Sequence, residues 1–174
     1  MDAKERLNAL EVALNNETRE REFYLKNAER TSNPLGEAMF KQIADEELEH
    51  YERLKELSET WAKTERWPET IPLKVKDTII RDVLKKAIEN AAQVSQKDED
   101  DLKAIEVAID FESKGVTYYE KLRDEVSDRK EKAFFDLLSR IEREHYLSLK
   151  EAEEFLTDPQ SWYTRVEHPS LDGA

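Results

Sequence analysis

Apolar residues recur along this chain at alternating steps of three and four, in four long segments. The first carries Ala3, Leu7, Leu10, Leu14, Tyr24 and Ala28, and the second Phe40, Ile43, Leu54, Leu57 and Trp61. The third carries Leu102, Ile105, Ile109, Val116 and Tyr119, and the fourth Phe135, Leu138, Leu149, Ala152 and Leu156. Steps of that size keep returning to one face of a helix, so each segment predicts an amphipathic helix with a stripe for a bundle core. Each helix is about 25–30 residues long and so roughly 40 Å from end to end.

The breaks support this reading. Thr31-Ser-Asn-Pro34 separates the first two segments, with Pro34 suited to a first helical turn. Ser127-Asp128 separates the last two, and Asp158-Pro159 ends the fourth. Such short links make antiparallel hairpins. A longer connection, about residues 63–97, joins the two hairpins and contains Trp67-Pro68-Glu-Thr-Ile-Pro72. Within it, Ile79, Ile80, Val83, Leu84, Ala87 and Ile88 predict a short extra helix at roughly 77–95. The expected fold is all-α, an antiparallel four-helix bundle over residues 1–158, with helix pairs at about 2–62 and 98–157. Residues 159–174 read as a mostly irregular tail whose aromatics, Trp162 and Tyr163, pack on the body or on a neighbouring subunit.

The stripes are not purely apolar. Glu17 and Arg21 interrupt the first, Glu47 and His50 the second, Glu112 the third, and Glu142 and His145 the fourth. A shift of 95 residues carries Glu17, Glu47 and His50 onto Glu112, Glu142 and His145. Without a gap, residues 7–57 and 102–152 agree at 18 of 51 positions, so the chain is an internal repeat. Burying one unpaired carboxylate costs several kcal/mol, and four together also repel one another. Two divalent cations would cancel four carboxylates with both imidazoles neutral. Glu and His three apart share a helix face, so each Glu-x-x-His can hold one ion. Glu47 and Glu142 can then bridge, with Glu17 and Glu112 as terminal ligands, the arrangement of di-iron carboxylate bundles. Oxygen and imidazole ligands suit Fe or Mn, and Zn less specifically. The competing reading is a chance pattern on a charged bundle, and the matched register of all six residues argues against it.

Composition narrows the partners. The net charge of −13 disfavours nucleic acid, whose phosphates call for clustered Lys and Arg, and disfavours an anionic membrane surface. No apolar run approaches the length of a membrane span. The charged start lacks the apolar core of a secretory signal, so a cytoplasmic location is expected. The absence of Cys excludes disulfides, thiolate zinc sites, iron–sulfur clusters and a rubredoxin-type iron centre within these residues.

Four stretches carry a family resemblance: Ala13-Leu-Asn-Asn-Glu17 with Phe23-Tyr24, Ala44-Asp-Glu-Glu47-Leu-Glu-His50, Ala108-Ile-Asp-Phe-Glu112 with Tyr118-Tyr119, and Glu142-Arg-Glu-His145. Over about residues 5–156 the chain resembles the rubrerythrin family of ferritin-like di-iron proteins. The resemblance implies two Fe ions, with Mn or a mixed pair as alternatives. It also implies reduction of hydrogen peroxide or O2, an external electron-donor protein and a homodimer. Other functions open at this point are a ferroxidase or iron-storage protein, a dimanganese catalase-type site, and a structural bundle with a vestigial site.

Two departures from the family stand out. Relatives append a rubredoxin domain, and this chain has no Cys to build one. Relatives also carry an extra Glu three residues after the third-helix ligand, where this chain has Gly115. Glu20, three after Glu17, occupies the symmetry-related place and is a candidate seventh carboxylate; the alternative is a solvent-facing Glu. Bacterioferritin shares the six-ligand pattern but holds a haem through Met, and Leu48 stands at that position, so no haem is expected. Tyr24 and Tyr119, seven residues past Glu17 and Glu112, read either as phenols bonded to ligand carboxylates or as core residues with satisfied hydroxyls. Arg21 reads as a partner of the ligands or as a snorkelling side chain, and His168 as a surface residue. Lys97-Asp-Glu-Asp-Asp101 reads as a solvated helix start.

Overall fold

A computed structural model describes residues 1–67, 76–91 and 99–167. Among these, six helices form: α1 (Ala3–Arg30), α2 (Pro34–Thr64), α3 (Ile80–Ala91), α4 (Glu99–Glu125), α5 (Arg129–Thr157) and α6 (Pro159–Glu167). Their ends follow local chemistry. Asp2 caps α1 in a reciprocal box with Glu5, Asn33 caps α2 ahead of Pro34, and Asp128 accepts from the backbone N–H groups of Lys130 and Glu131 at the start of α5. Glu65 closes α2 in a left-handed conformation with φ of 50°.

The apolar stripes divide into two clusters with the polar layer between them. One cluster holds Tyr24, Phe40, Ile43, Ala108, Leu149 and Phe155, and the other holds Ala13, Leu54, Tyr119, Phe135, Leu138 and Ile141. Going along α1, Ala13 belongs to the second cluster, Glu17 to the layer and Tyr24 to the first cluster. On α2 the order reverses, from Ile43 through Glu47 and His50 to Leu54. The helix α4 runs like α2, and α5 runs like α1. The bundle is therefore two antiparallel hairpins whose inner helices α2 and α4 run parallel, which requires the long crossover between them. This is the ferritin-like arrangement.

The crossover helix is α3, shorter than the span 77–95 expected from the pattern, whose last residues lie outside those described. Ile80, Leu84 and Ile88 are buried and pack α3 onto α2 and α5. The segment after Asp158 corrects part of an expectation: Pro159–Glu167 is helical as α6, and residues 168–174 lie outside those described. Pro159 ends α5 yet supplies the fixed φ suited to a new first turn, so the residue that stops one helix starts the next. Trp162 is buried against Phe155, as its aromatic character led one to expect. Asp101 also departs from expectation. It is buried, accepts bonds from Arg30 at 2.8 Å and Thr31 at 2.6 Å, and ties the end of α1 to the start of α4. The segments Pro68–Pro72 and Lys97-Asp98, and His168, lie outside the described residues.

Candidate metal centre

Four helices deliver the polar layer. Glu17 comes from α1, Glu47 and His50 from α2, Glu112 from α4, and Glu142 and His145 from α5, and all six are buried. Their ligand atoms converge in two overlapping groups. Glu17, Glu47, His50 and Glu142 form one, and Glu47, Glu112, Glu142 and His145 form the other, with atoms in each group within 4.8 Å of one another. Glu47 and Glu142 belong to both.

Repeat symmetry survives at the level of single atoms. His50 Nδ1 lies 3.3 Å from Glu17, 3.1 Å from Glu47 and 3.3 Å from Glu142. His145 Nδ1 lies 3.3 Å from Glu112, 3.4 Å from Glu47 and 3.7 Å from Glu142. The two rings stack with centroids 6.2 Å apart. Tyr24 donates to Glu112, and Tyr119 donates to Glu17. The two hydroxyls thus cross the bundle in a matched pair. Of the two readings of these phenols, bonding to the outer carboxylates is the one the structure adopts. Each tyrosine also packs in an apolar cluster, so its ring and its hydroxyl serve different ends.

Charge in the layer is unbalanced without cations. Burial, together with the charge of Glu47, pushes the Glu17 carboxyl well above its ordinary range. Burial does the same to Glu112, against the opposing charge of His145. Burial also works against ionisation of Glu47 and Glu142. For Glu47, the closeness of Glu17 and His145 and the charge of His50 prevail and hold it low. For Glu142, the closeness of both imidazoles and of Glu112 prevails and holds it low. The imidazoles go up: burial lowers each, but the surrounding carboxylates outweigh it. These shifts favour protons on the outer carboxylates and the rings, where cations would otherwise balance the charge.

A metal pair fits these residues. Glu17 Oε2, Glu47 Oε1, Glu112 Oε2, both carboxylate oxygens of Glu142 and His145 Nδ1 are buried without a hydrogen-bond partner. Buried oxygens left unpaired are rare because each forfeits its hydration. Here several such atoms face one small volume, the pattern expected where metal–oxygen bonds replace hydrogen bonds.

Glu46 is a functional candidate that the sequence reading passed over. His145 Nε2 lies 2.6 Å from its carboxylate, which also accepts from Gln42 at 2.6 Å and the Ile79 backbone at 3.3 Å. Burial would raise Glu46, but the bond from His145 and those from Thr78 and Gln42 bring it down to about 2. An ionised Glu46 fixes the proton on Nε2 and leaves Nδ1 free to ligate. The repeat breaks here: 95 residues on from Glu46 is Ile141, which is apolar and buried. The signal was an acid directly before a ligand Glu, present in one half of the repeat only. Glu46→Leu is expected to weaken metal binding at the His145 side by about 10–100-fold. Competition with a chromophoric chelator would show one weakened site of two; equal loss at both would contradict this.

Glu20 is half-buried, outside both ligand groups, and near enough to Glu47, Glu17, Glu112 and Glu142 to be repelled by each. Burial and these charges push it up to about 11. It is not the freely solvated Glu of the alternative reading. Arg21 is half-buried, and its Nε has no partner.

A helical bundle with buried Glu and His in two matched groups belongs to the ferritin-like carboxylate proteins, with a site compatible with two iron ions. The family model described as Rubrerythrin matches residues 8–153, and the chain belongs to the rubrerythrin family. No curated protein and no solved structure matches the chain.

Proposed function

We propose that the chain is a non-haem di-iron oxidoreductase that reduces hydrogen peroxide to water, drawing electrons from an external donor protein. The observation that carries this is the pair of overlapping ligand groups sharing Glu47 and Glu142. In this reading Glu47 and Glu142 would be shared by both ions, Glu17 and His50 would complete the set for one, and Glu112 and His145 the set for the other. Glu20 is a seventh carboxylate held in reserve beside them. A di-iron pair held by these residues would supply the two electrons that, with two protons, reduce one hydrogen peroxide to two waters.

The protein's own part is to position and to insulate. Tyr24 and Tyr119 keep their protons, since burial and the charge of Glu112 or Glu17 raise both phenols. They orient the outer carboxylates. Two apolar clusters shut off the layer above and below, so charges inside it interact strongly. Lacking Cys, these residues build no rubredoxin-type or iron–sulfur centre, and in this reading an external donor supplies the electrons. We expect a homodimer, and among the described residues no helix is long and apolar enough to cross a membrane.

The test uses anaerobically iron-loaded protein mixed with stoichiometric hydrogen peroxide or, separately, O2, followed by the rise of ferric absorption. Oxidation by peroxide is expected to be the faster by a clear margin. Faster oxidation by O2, with continued iron uptake into a large assembly, would replace this reading with ferroxidase and storage chemistry. Full activity with bound Mn and none with Fe would replace it with a dimanganese catalase.

A further inference from the structure

The four seams of the bundle are not equally closed. Within each hairpin, α1 against α2 and α4 against α5, the helices pack along their length. The seam between α2 and α5 is sealed from outside by the crossover. At the level of the ligands, the Lys76 backbone bonds to Glu49, the Ile79 backbone to Glu46, Asp77 pairs with Arg140 at 3.1 Å, and Arg81 pairs with Glu144. Beyond them α3 packs on both helices. The opposite seam, between α1 and α4, has no covering element among the described residues.

A pocket of about 160 Å³ opens in that uncovered seam, lined by Asn16, Arg19, Glu20, Phe111, Lys114 and Gly115. It contains both members of one broken repeat pair, Glu20 on α1 and Gly115, 95 residues on, on α4. Gly115 sits inside a helix, where glycine costs about 1 kcal/mol relative to alanine. A Cβ there would lie 3.3 Å from Glu142 Cγ and 3.5 Å from Glu142 Oε2. Glu142 is thus directly behind the glycine, and both its oxygens are buried and unpartnered. Glu20 lines the same pocket and feels all four ligand carboxylates. Asn16 and Lys114 line the pocket together with Glu20 and Gly115, and the glycine alone stands between it and the shared ligand Glu142.

We infer that this pocket is the route by which small polar solutes reach the centre, kept open by Gly115 and gated at its inner end by Glu20. The inference rests on the di-metal reading of the centre. At roughly 30 Å³ per water, the pocket holds only a few water-sized molecules, which fits hydrogen peroxide and rejects bulky hydroperoxides.

The test separates access from ligation. Protein loaded with Co(II) is mixed with azide, and the change in the cobalt visible bands gives association and dissociation rates. One variant is compared with the parent chain: Asn16→Trp, which narrows the pocket at a residue outside both ligand groups. In Asn16→Trp both rates are expected to fall by about tenfold or more, within the range over which association rates vary among variants of one site, with affinity unchanged. A parallel fall in both rates marks an obstructed path, which a distorted ligand set would not produce. If Asn16→Trp binds Co(II) fully and its azide rates equal the parent's, or if affinity falls at an unchanged association rate, the route lies elsewhere. A parent chain that binds no Co(II) would overturn the di-metal reading itself, and the route with it.

Discussion

Replacing either shared carboxylate, as Glu47→Gln or Glu142→Gln, is expected to empty both metal positions at once. Metal content should fall from two ions per chain towards none, whereas Glu17→Gln or Glu112→Gln should leave about one. The difference follows from group membership, since Glu47 and Glu142 belong to both ligand groups and the outer carboxylates to one each. It also follows from charge. Two dications side by side are tolerable only if anions stand between them, and four carboxylates balance four positive charges. Removing a central anion leaves an uncompensated buried charge and exposes the cations to each other. An uncompensated buried charge costs about 3–5 kcal/mol, more than a hundredfold in affinity. Glutamine keeps shape and volume, so the fold survives and circular dichroism should match the parent. Elemental analysis after anaerobic loading and desalting is the measurement. Retention of one full ion by Glu47→Gln would show that the carboxylate does not bridge.

The repeat explains how much of this could be read without coordinates. Glu17 and Glu112 are far from their Glu-x-x-His partners in the chain, yet each falls on a helical stripe and each has a mate 95 residues away. Periodicity placed them inward, and symmetry paired them. The Tyr24 and Tyr119 bonds were only half legible. Spacing put both phenols on the ligand face, but their hydroxyls cross to the other half of the repeat, which depends on how the hairpins dock. What escaped the sequence was whatever departs from the repeat. Glu46 lies beside the stripe rather than on it, and it gains a role only because His145 on another helix reaches it. Asp101 looked like one more acid in a charged run until the end of α1 came to rest against it. The helix α6 was hidden by Pro159, which breaks a helix when met from one side and begins one when met from the other. For Glu46 and Asp101 a long-range contact gave the residue its role, whereas for α6 the local signal at Pro159 pointed both ways.

Metal loading is expected to raise the melting temperature by about 8–16 °C and to reverse the slope of stability with pH. An ion pair held at about a thousandfold excess over its dissociation constant adds about 4 kcal/mol. For a chain of 174 residues each kcal/mol is worth about 2–4 °C. The slope comes from protons. In the metal-free protein Glu17 and Glu112 bind protons more tightly than the ordinary carboxyl value of 4.5, chiefly through burial. His50 and His145 hold theirs above the ordinary 6.5, their carboxylate neighbours overcoming burial. The folded chain then carries more protons than the unfolded one, so its stability falls as pH rises above those ordinary values. Glu47 and Glu142 act oppositely, but only below 4.5, where their lowered values make stability fall as acid is added. Across about pH 6 to 8 the metal-free protein should therefore melt at progressively lower temperature. Cations displace those protons, so affinity climbs about tenfold per pH unit for each proton released. The loaded protein should hold or raise its melting temperature over the same range. Calorimetry with chelator and with excess Mn(II), in matched buffers, gives both slopes. A metal-free melting temperature that climbs with pH would show that the carboxylates are ionised without metal, and that something other than protons balances the layer.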